Sequence, residues 1–554
     1  MRRTVLVVVL VALLFAAPAA ARPTQLMPGV TYERILRWTS AGPMVMYVVT
    51  APKPLGLYSL TPLLSNGTIV GRETLSSMQR SVSAQMTTVG VNGDFFHWTR
   101  GWPSGLQIRS GVVEHQSALG RAAVGIDTSA ILHADRVPWF ARWHGPDNVW
   151  YPVSQLNESP RTNAAALFTP VWGDVTPKVK GTTVVLQPFP PTVPRTDLAG
   201  TVTSILPGAS VAVPPDGAVL VARGTATRPL QALSPGTPVT VRIPLPNEWA
   251  SVTGALSSGP TLVRNGKPIF NAGEALTYLQ LHGRNPRTAI GQRADGAIVM
   301  VAVDGRRRGW SIGITNWDLA RTLVSLGCVT AYALDSGGST TIAFDGKVLN
   351  RPSDPSGERP VSNAFVIAYT GVYAPPVPST LSPNQDGLGD LESLSYKLVR
   401  PATVSAKVVG PDGIARELDA GLKQPGRHKL SWDGLGAPEG RYHWNVTATD
   451  DAGQISSDDR AFTLDNTLGF VRVARNARRV DFTLTRAATV RVTVETGAGG
   501  ILRTLAAGAR QAGAVSVLWN GRDGRGKLVR RGFVVRVAAT SPLGLTQLVR
   551  RPPR

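Results

Sequence analysis

Between residues 30 and 372 the chain alternates short runs of β-branched residues with turn signals, which is typical of antiparallel strands. Patterns with helical period are few over the same range. Tight hairpins are indicated by three dipeptides that supply the positive φ angles such turns need, at Ser110-Gly111, Asn265-Gly266 and Asp345-Gly346. The pattern predicts a region rich in hairpins.

One segment of this region has a different period. Residues 297–305 form a continuous apolar run that suits a buried strand, and residues 315–327 place leucines on one helical face between capping signals. Residues 329–334 return as a second buried strand. This order of strand, helix and strand puts residues 335–340 at the carboxyl end of a strand, where open α/β sheets bind ligands.

Two similar units follow Tyr369. Residues 396–409 match residues 482–495, and residues 429–434 match residues 516–521. Both units alternate apolar and polar residues at strand period, and each contains one Trp in the second matching segment. We expect two β-sandwiches in tandem, each with its Trp in the core.

The first residues have the order of a secretory signal peptide. Arg2 and Arg3 precede an apolar run that is shorter than the about 20 residues of a membrane span, and alanines at 19–21 supply a cleavage site. An uncleaved anchor is the alternative on the same pattern. We expect a secreted or extracellular protein, with no transmembrane segment after removal of the signal peptide.

The cysteine count and the distribution of charge limit how the protein can be stabilised and which partners it can bind. With Cys328 as the single cysteine, an internal disulfide is excluded, so stability must come from packed cores. Residues 468–554 contain 17 Lys and Arg against 3 Asp and Glu, a balance of +14 out of a total of +22. Such a surface attracts anionic cell-envelope polymers, although a basic surface that only solvates a β-domain is the alternative. No motif for nucleic-acid recognition is present, and we expect no such partner.

The stretch YALDSGGST, residues 332–340, resembles the nucleophile turn of a trypsin-like protease, with Ser336 as the nucleophile. That chemistry needs a histidine base and a carboxylate behind it. The upstream histidine context is missing, and Leu334 and Ser339 replace the neighbouring glycine and proline of that motif. The sequence argues against a protease. No cofactor is evident because no His/Cys cluster has zinc-ligand spacing, although scattered Asp residues leave room for Ca²⁺.

Five motifs occur in a fixed order along the first two thirds of the chain. They are VNGDFFHW (91–98), SSGPTLVRNGKPI (257–269), GRNPRTAIG (283–291), ALDSGGSTTIAF (333–344) and GERPVSNAF (357–365). Together they resemble the phosphodiester glycosidase family, over roughly residues 85–370. Ser336 stands where the family has the first glycine of an Asp-Gly-Gly-Gly-Ser turn. The resemblance implies a hydrolase that acts on sugar 1-phosphodiesters.

The resemblance also implies site residues. A sugar 1-phosphodiester needs cations or backbone N–H groups on its phosphate and a carboxylate near the developing oxocarbenium ion. Asp335 and Glu358 are the candidates for nucleophile, acid or base, with their division of roles left open. The candidates for binding substrate or phosphate are Arg287, Thr288, Arg359, Gly337, Gly338, Ser339, Thr340, Asn92 and Asp94.

Each assignment has a structural alternative. Asp335 could cap its own turn, and Asn92 and Asp94 could be hairpin residues. Arg287 and Glu358 could form a buried ion pair. The function has an alternative as well, because a non-catalytic protein could bind envelope polysaccharide through the same cleft and through the basic repeats.

The resulting prediction is an α+β (mixed α/β) phosphodiester glycosidase-like catalytic domain followed by two all-β immunoglobulin-like sandwiches, which resemble modules of the flagellar hook-capping family. The predicted boundaries are a signal peptide at 1–21, the catalytic domain at 22–372, a Pro-rich linker at 373–387, sandwiches at 388–466 and 467–545, and a basic tail at 546–554. The predicted function is a secreted hydrolase of glycosyl phosphodiesters, associated with the cell envelope.

Overall fold

The computed structural model describes residues 23–269, 273–377, 380–474, 479–497, 499–529 and 532–552. Strands account for 49% of the structure and helices for 8%. The prediction of a mixed α/β catalytic domain is therefore wrong, because its sheets are not layered with long helices and the longest described helix has 10 residues. The predicted signal peptide lies outside the described residues.

The chain divides into two compact units. The first runs to Arg80 and from Thr88 to Ile367, and the second comprises Ser81–Thr87 and the chain from Ala368 onward. The α-helices are Leu75–Ser81, Thr227–Gln231, Tyr278–His282 and Asn316–Ser325, and 3₁₀ turns lie at Ser65–Gly67, Pro170–Trp172, Gly224–Ala226, Asn247–Trp249 and Gly337–Ser339. Within the described ranges, no helix is both long enough and apolar enough to cross a membrane.

Four sheets organise the chain as far as Tyr369. In the order of neighbouring strands, the central sheet contains Thr24–Met27, Val30–Thr39, Gly42–Ala51, Ile298–Val303, Arg287–Arg293, Cys328–Leu334, Thr261–Arg264 and Lys267–Pro268. A second sheet contains, in the same order, Tyr151–Pro152, Arg142–His144, Pro238–Arg242, Asp197–Pro207, Thr182–Leu186, Ala218–Ala222, Ala165–Phe168 and Gln155–Leu156. The third contains Val112–His115, Gln107–Arg109, Val252–Ser257, Ala122–Asp127 and Leu132–Arg136, and the fourth contains Lys347–Val348, Ile342–Phe344, Thr87–Asn92, Asn363–Tyr369 and Tyr58–Leu64.

The three predicted hairpins are confirmed. Each joins two antiparallel strands through a two-residue turn. The φ angles are 52° and 77° at Ser110 and Gly111, 51° and 70° at Asn265 and Gly266, and 43° and 85° at Asp345 and Gly346. These positive values explain why Gly, Asn and Asp occupy the turns.

The segment with helical period also forms as predicted. Asn316–Ser325 connects Ile298–Val303 to Cys328–Leu334, and the Thr315 hydroxyl accepts a hydrogen bond of 3.1 Å from the amide of Asp318 at the helix start. Cys328 packs in the core between this helix and the central sheet, and its burial raises the pKa of its thiol to about 12. Cys328 is thus a buried apolar residue.

Strand register brings two of the sequence motifs together. Arg287–Arg293 lies between Ile298–Val303 and Cys328–Leu334 and is antiparallel to both. Because Thr288 pairs with Leu334, the start of one strand lies beside the end of the other. Asp335 consequently leaves the sheet next to the residues that open the neighbouring strand.

The second unit consists of two β-sandwiches with separate cores, as predicted. The first is formed by Thr380–Leu381, Ile455–Leu464, Gly440–Asp450, Ala402–Val409 and Ala415–Lys423 in one sheet with Glu392–Leu398 and Gly426–Trp432 in another. The second is formed by Leu468–Val473, Arg479–Leu484 and Gly513–Leu518 with Ile501–Arg510, Ala488–Thr496, Phe533–Thr540 and Thr546–Arg551. Trp432 and Trp519 are buried, one in each core.

Two segments that the sequence assigned to connections are part of these sandwiches. Thr380–Leu381, within the predicted linker, pairs in parallel with Ile455–Leu464, and Ala374 is buried in the first core. Thr546–Arg551, within the predicted basic tail, pairs with Phe533–Thr540. Leu381 is buried in the first core, and Val549 packs against the second.

Candidate functional site

The turn that follows Leu334 presents a carboxylate at the carboxyl end of an interior strand of the central sheet. Asp335 is partly exposed, its amide donates a hydrogen bond of 2.9 Å to the carbonyl of Gly93, and its Oδ1 accepts one of 2.7 Å from the amide of Ser336. Gly337 has φ = 69°, and its amide donates to the carbonyl of Pro286 at 2.9 Å. The turn is therefore tied to two neighbouring segments, and this fixes the carboxylate in place.

Asn92 connects this turn to the sheets beneath it. Its Nδ2 donates a hydrogen bond of 2.8 Å to the carbonyl of Asp335. Its Oδ1 accepts bonds of 2.7 Å from the Thr288 hydroxyl and 3.0 Å from the Thr341 amide. Asn92 and Thr288 are both fully buried, so they hold the site together instead of contacting a substrate in this conformation.

Asp94 is a second carboxylate, buried behind the turn. Asp94 is fully buried, and no side chain among the described residues donates a hydrogen bond to either carboxylate oxygen. The nearest cation is Arg121, whose Nη1 lies 3.8 Å from Oδ1. Burial raises the pKa of Asp94 to about 7; Arg121 opposes this shift, and the charge of Asp335 adds to it.

Asp335 has a raised pKa as well. Burial of its carboxyl group raises the pKa to about 6, against the hydrogen bonds from Ser339 and Ser336 and the charges of Arg359 and Arg121, which all lower it. A pKa near 6 leaves the carboxylate ionised at neutral pH and still basic enough to take a proton from water. The geometry thus gives Asp335, and not Asp94, direct access to a ligand.

Arg287 is buried, as Asp94 is. Only 3% of its surface is exposed, its Nη2 donates a bond of 2.7 Å to the carbonyl of Gly283, and its Nε has no partner among the described residues. Burial lowers the pKa of Arg287 to about 10, as does the charge of Arg306, while Asp335 raises it. Its positive charge therefore acts on a ligand through Asp335.

Two other arginines border the glycine turn on its accessible side. Arg359 binds Asp354 through bonds of 2.7 and 2.9 Å, and its Nη1 donates to the Ser339 hydroxyl at 3.4 Å. A Cβ on Gly338 would collide with this ion pair, which explains why glycine is needed there. Arg306 is exposed, has φ = 57° and directs its guanidinium at Gly337. A positive φ at a non-glycine residue often marks a functional position.

Glu358 lies elsewhere in the structure. Its two carboxylate oxygens accept hydrogen bonds from the amide of Ser76 at 2.9 Å and from its hydroxyl at 2.5 Å, at the start of helix Leu75–Ser81. A carboxylate at a helix N-terminus satisfies free N–H groups and stabilises the helix. This geometry favours a structural role for Glu358.

The remaining predicted residues are buried around the turn. Ser339 and Thr340 are buried, and the Thr340 hydroxyl has no partner among the described residues. Arg306, Arg121 and Asp354 were missed by sequence reasoning; a positive φ at Arg306 has no signature in the sequence GRRRG. In the described part of the chain, no group of three or more His, Cys, Asp or Glu side chains could hold a metal ion.

Comparisons with known proteins give the same two domain types. A family model described as Phosphodiester glycosidase matches residues 196–368, and one described as FlgD Ig-like domain matches residues 473–542. The chain is 41% identical over 111 residues to the SPbeta prophage-derived uncharacterized protein YomE of Bacillus subtilis (strain 168), which covers 20% of this chain and 17% of that protein.

A second relative is the N-acetylglucosamine-1-phosphodiester alpha-N-acetylglucosaminidase of Bos taurus, 31% identical over 109 residues, or 18% of this chain and 20% of the relative. The chain thus matches a fifth or less of the length of these curated relatives. A crystal structure of a hypothetical protein from Synechocystis superposes with a TM-score of 0.53 at 24% identity, covering 62% of each chain, which shows a shared fold. Residues 196–368 therefore match a phosphodiester glycosidase domain, and residues 473–542 match a FlgD Ig-like domain.

Proposed function

We propose that the turn at Asp335 hydrolyses the glycosidic bond of sugar 1-phosphodiesters. The observation that carries the proposal is an accessible carboxylate with a pKa of about 6 beside glycines that Arg306 and Arg359 border. The family match and the resemblance to an enzyme named for this activity support it. A carboxylate next to guanidinium groups meets the two charge demands of the reaction.

The chemistry needs only one accessible carboxylate. The bond between the anomeric carbon and the phosphate oxygen breaks, water adds to the carbon, and the products are a free sugar and a phosphate monoester. Since the second pKa of a phosphate monoester is about 6, the leaving group departs as an anion without a proton from the protein. Arg306 and Arg359 stabilise the negative charge of the departing phosphate. Asp335 stabilises the positive charge that develops at the anomeric carbon, and it accepts a proton from the attacking water.

A non-catalytic role in polysaccharide binding is the rival proposal. Burial of Asp94 and Arg287 with unpartnered polar atoms destabilises the fold, and a binding module gains nothing from that cost. Enzymes often keep such groups because they tune a catalytic residue. The electrostatic influence of Asp335 on both groups favours catalysis.

Release of free sugar from N-acetylglucosamine 1-phosphodiesters tests the proposal. We expect turnover by the wild-type protein and a loss of several orders of magnitude in kcat for Asp335→Asn, with little change in KM. Glu358→Gln is the control, because it removes a carboxylate that lies outside the turn and retains an acceptor for a hydrogen bond from Ser76. Binding of these substrates without turnover would support the rival, and equal loss in both variants would contradict the assignment of Asp335.

We also propose that the protein is secreted and held at the cell envelope by the basic second sandwich. Support comes from the signal-like residues 1–21 and the +14 balance of residues 468–554. Attachment to isolated envelopes should weaken as salt shortens the Debye length from about 10 Å at 0.1 M to about 3 Å at 1 M. A variant of the full chain with glutamine in place of four exposed arginines should detach from envelopes at lower salt than the wild type; the positions are Arg472, Arg491, Arg510 and Arg525. Detachment at the same salt concentration would contradict the proposal.

A further inference from the structure

A large cleft opens beside the proposed site. Its volume is about 1530 Å³, and its walls carry aromatic and basic side chains together, among them Phe96, Trp98, Trp102, Phe140, Arg121 and Arg161. Pockets for drug-sized ligands measure about 300–1,000 Å³. The cleft therefore has room for more than a single sugar phosphate.

Two residues of the cleft lie close to groups that surround Asp335. Arg121 lines the cleft, and its Nη1 lies 3.8 Å from the carboxylate of buried Asp94. Trp98 also lines it, and the guanidinium of Arg359 lies 5.2 Å from the centre of the Trp98 ring. A chain bound in the cleft can therefore reach the groups that surround Asp335.

Aromatic and apolar surface is exposed in the cleft to an unusual degree. Phe140 is 68% exposed, Trp98 61% and Leu119 94%. Trp102 is fixed by stacking on His97, with ring centres 4.5 Å apart. Burial of such surface in water contributes about 25 cal/mol per Å², and clustered exposed apolar groups commonly mark a binding surface. Flat rings of this kind accept the apolar faces of pyranose sugars.

The positive charge of the cleft favours anionic ligands over neutral sugars. Arg121 and Arg161 line it, and a third guanidinium, that of Arg72, lies 5.4 Å from the centre of the Trp98 ring. The acidic side chain in the lining, Glu158, is engaged by the amide of Gln116 and lies 3.7 Å from Nε2 of His115. The excess of guanidinium groups favours a ligand with repeated negative charges.

We propose that this cleft binds several consecutive units of an anionic sugar-phosphate polymer, so that the protein acts as a depolymerase and a single phosphodiester is its minimal substrate. The inference rests on the proposed function of Asp335. All of the cleft residues precede the segment matched by the family model, residues 196–368, so the cleft is a feature of this chain beyond that segment. Aromatic faces hold the sugars, and guanidinium groups hold the phosphates between them.

The test is calorimetric binding to the full-length Asp335→Asn protein, because it does not depend on turnover. The probes are phosphodiester-linked oligomers of N-acetylglucosamine 1-phosphate, as a single unit and as a hexamer. We expect the hexamer to bind at least about tenfold more tightly per molecule than the single unit. Phe140→Ala combined with Arg161→Gln should remove most of that gain.

Matched controls separate the cleft from general surface effects. Trp38→Ala removes a ring outside the cleft that is 76% exposed, and Arg228→Gln removes an exposed guanidinium outside the cleft. Both variants should still bind the hexamer more tightly than the single unit. Equal affinity for both oligomers, or a gain that survives Phe140→Ala with Arg161→Gln, would overturn the proposal. An equal gain with neutral chitohexaose would overturn the anionic assignment. Turnover of the single-unit diester by the wild-type protein reports the function of Asp335 separately.

Discussion

Nδ2 of Asn92 donates a hydrogen bond of 2.8 Å to the main-chain carbonyl of Asp335, 243 positions later in the chain. The other end of the same amide accepts two bonds, from Thr288 and Thr341. One side chain therefore sets the position of the turn at Asp335 relative to two sheets. A carboxylate cannot replace it, because the contact to Asp335 needs a donor.

Asn92→Asp should consequently damage both stability and activity. The substitution places an acceptor against the carbonyl of Asp335 and buries a new charge, which costs about 1–3 kcal/mol or more. Thermal denaturation should show a lower Tm, and sugar release should show a lower kcat. The exposed Asn148→Asp serves as the control and should change neither; an active, stable Asn92→Asp protein would show that this bond does not position the turn.

The pH dependence of kcat/KM should report Asp335. Its pKa of about 6 lies well above the ordinary value of 3.8, chiefly because of burial. Since the ionised form is the active one, activity should rise with pH through about 6 and approach a plateau near neutrality. Initial rates between pH 4 and pH 8 measure this directly. A rise centred near pH 4 would mean that the working carboxylate is an ordinary exposed one.

Asp94→Asn should make the protein more stable at high pH. The pKa of Asp94 is raised from 3.8 to about 7 by burial, so the folded state holds a proton that the unfolded state releases between those values. Stability contributed by this group is thus present at low pH and lost as pH rises toward 7. Relative to wild type, the variant should gain Tm at pH 8 and little at pH 4. Equal differences at both pH values would contradict a raised pKa.

Local patterns predicted local structure well in this chain. The hairpin at Asn265-Gly266 and the helix at 316–325 follow from φ preferences and apolar spacing that act over a few residues. The fold class was wrong because one helical segment, 315–327, suggested α/β layering, whereas strand pairing across hundreds of residues decides the architecture. Nothing within residues 287–303 shows that both neighbours of Arg287–Arg293 run antiparallel to it.

Ser336→Ala should leave turnover within roughly tenfold, or about 1.4 kcal/mol of barrier. The bond that Ser336 makes to Asp335 comes from its backbone amide, which alanine retains. Its φ of −121° suits any residue, so the side chain enters the turn without backbone strain. The rate of sugar release by the purified variant is the measurement. Complete loss of activity in a folded Ser336→Ala protein would indicate that the Ser336 hydroxyl is the nucleophile.

Arg306→Gln should weaken phosphodiester substrates selectively. The guanidinium is exposed against Gly337, where a phosphate would lie, and glutamine removes its charge. We expect kcat/KM to fall by about a hundredfold for a sugar 1-phosphodiester and far less for a neutral aryl glycoside. Arg308→Gln, two residues along and equally exposed, should affect neither substrate. Parallel losses on both substrates would show that Arg306 supports the fold instead of the phosphate.

The candidate site was predicted in part. Charge demands and motif order select Asp335 and Arg359 as candidates, and in the structure both lie at the glycine turn. Burial is not visible there, so the sequence predicts ligand contacts for Asp94 and Arg287 although they lie behind the turn. Glu358 is a catalytic candidate in the sequence because it is a carboxylate within one of the motifs, yet in the structure its side chain bonds to the start of helix Leu75–Ser81.

The pairing of Gly42–Ala51 with Ile298–Val303 in the central sheet has a consequence for how the protein is made. The hydroxyl of Tyr47 bonds to Asp304, 257 residues later. Gly42–Ala51 pairs early with Val30–Thr39, but its other edge has no partner until most of this domain has been synthesised. At about 5–20 residues per second the wait lasts on the order of ten to fifty seconds. During that time the hydrophobic strand at 42–51 is exposed to aggregation or proteolysis unless a chaperone covers it. The candidate site therefore forms only after translation has passed the turn at 335–340.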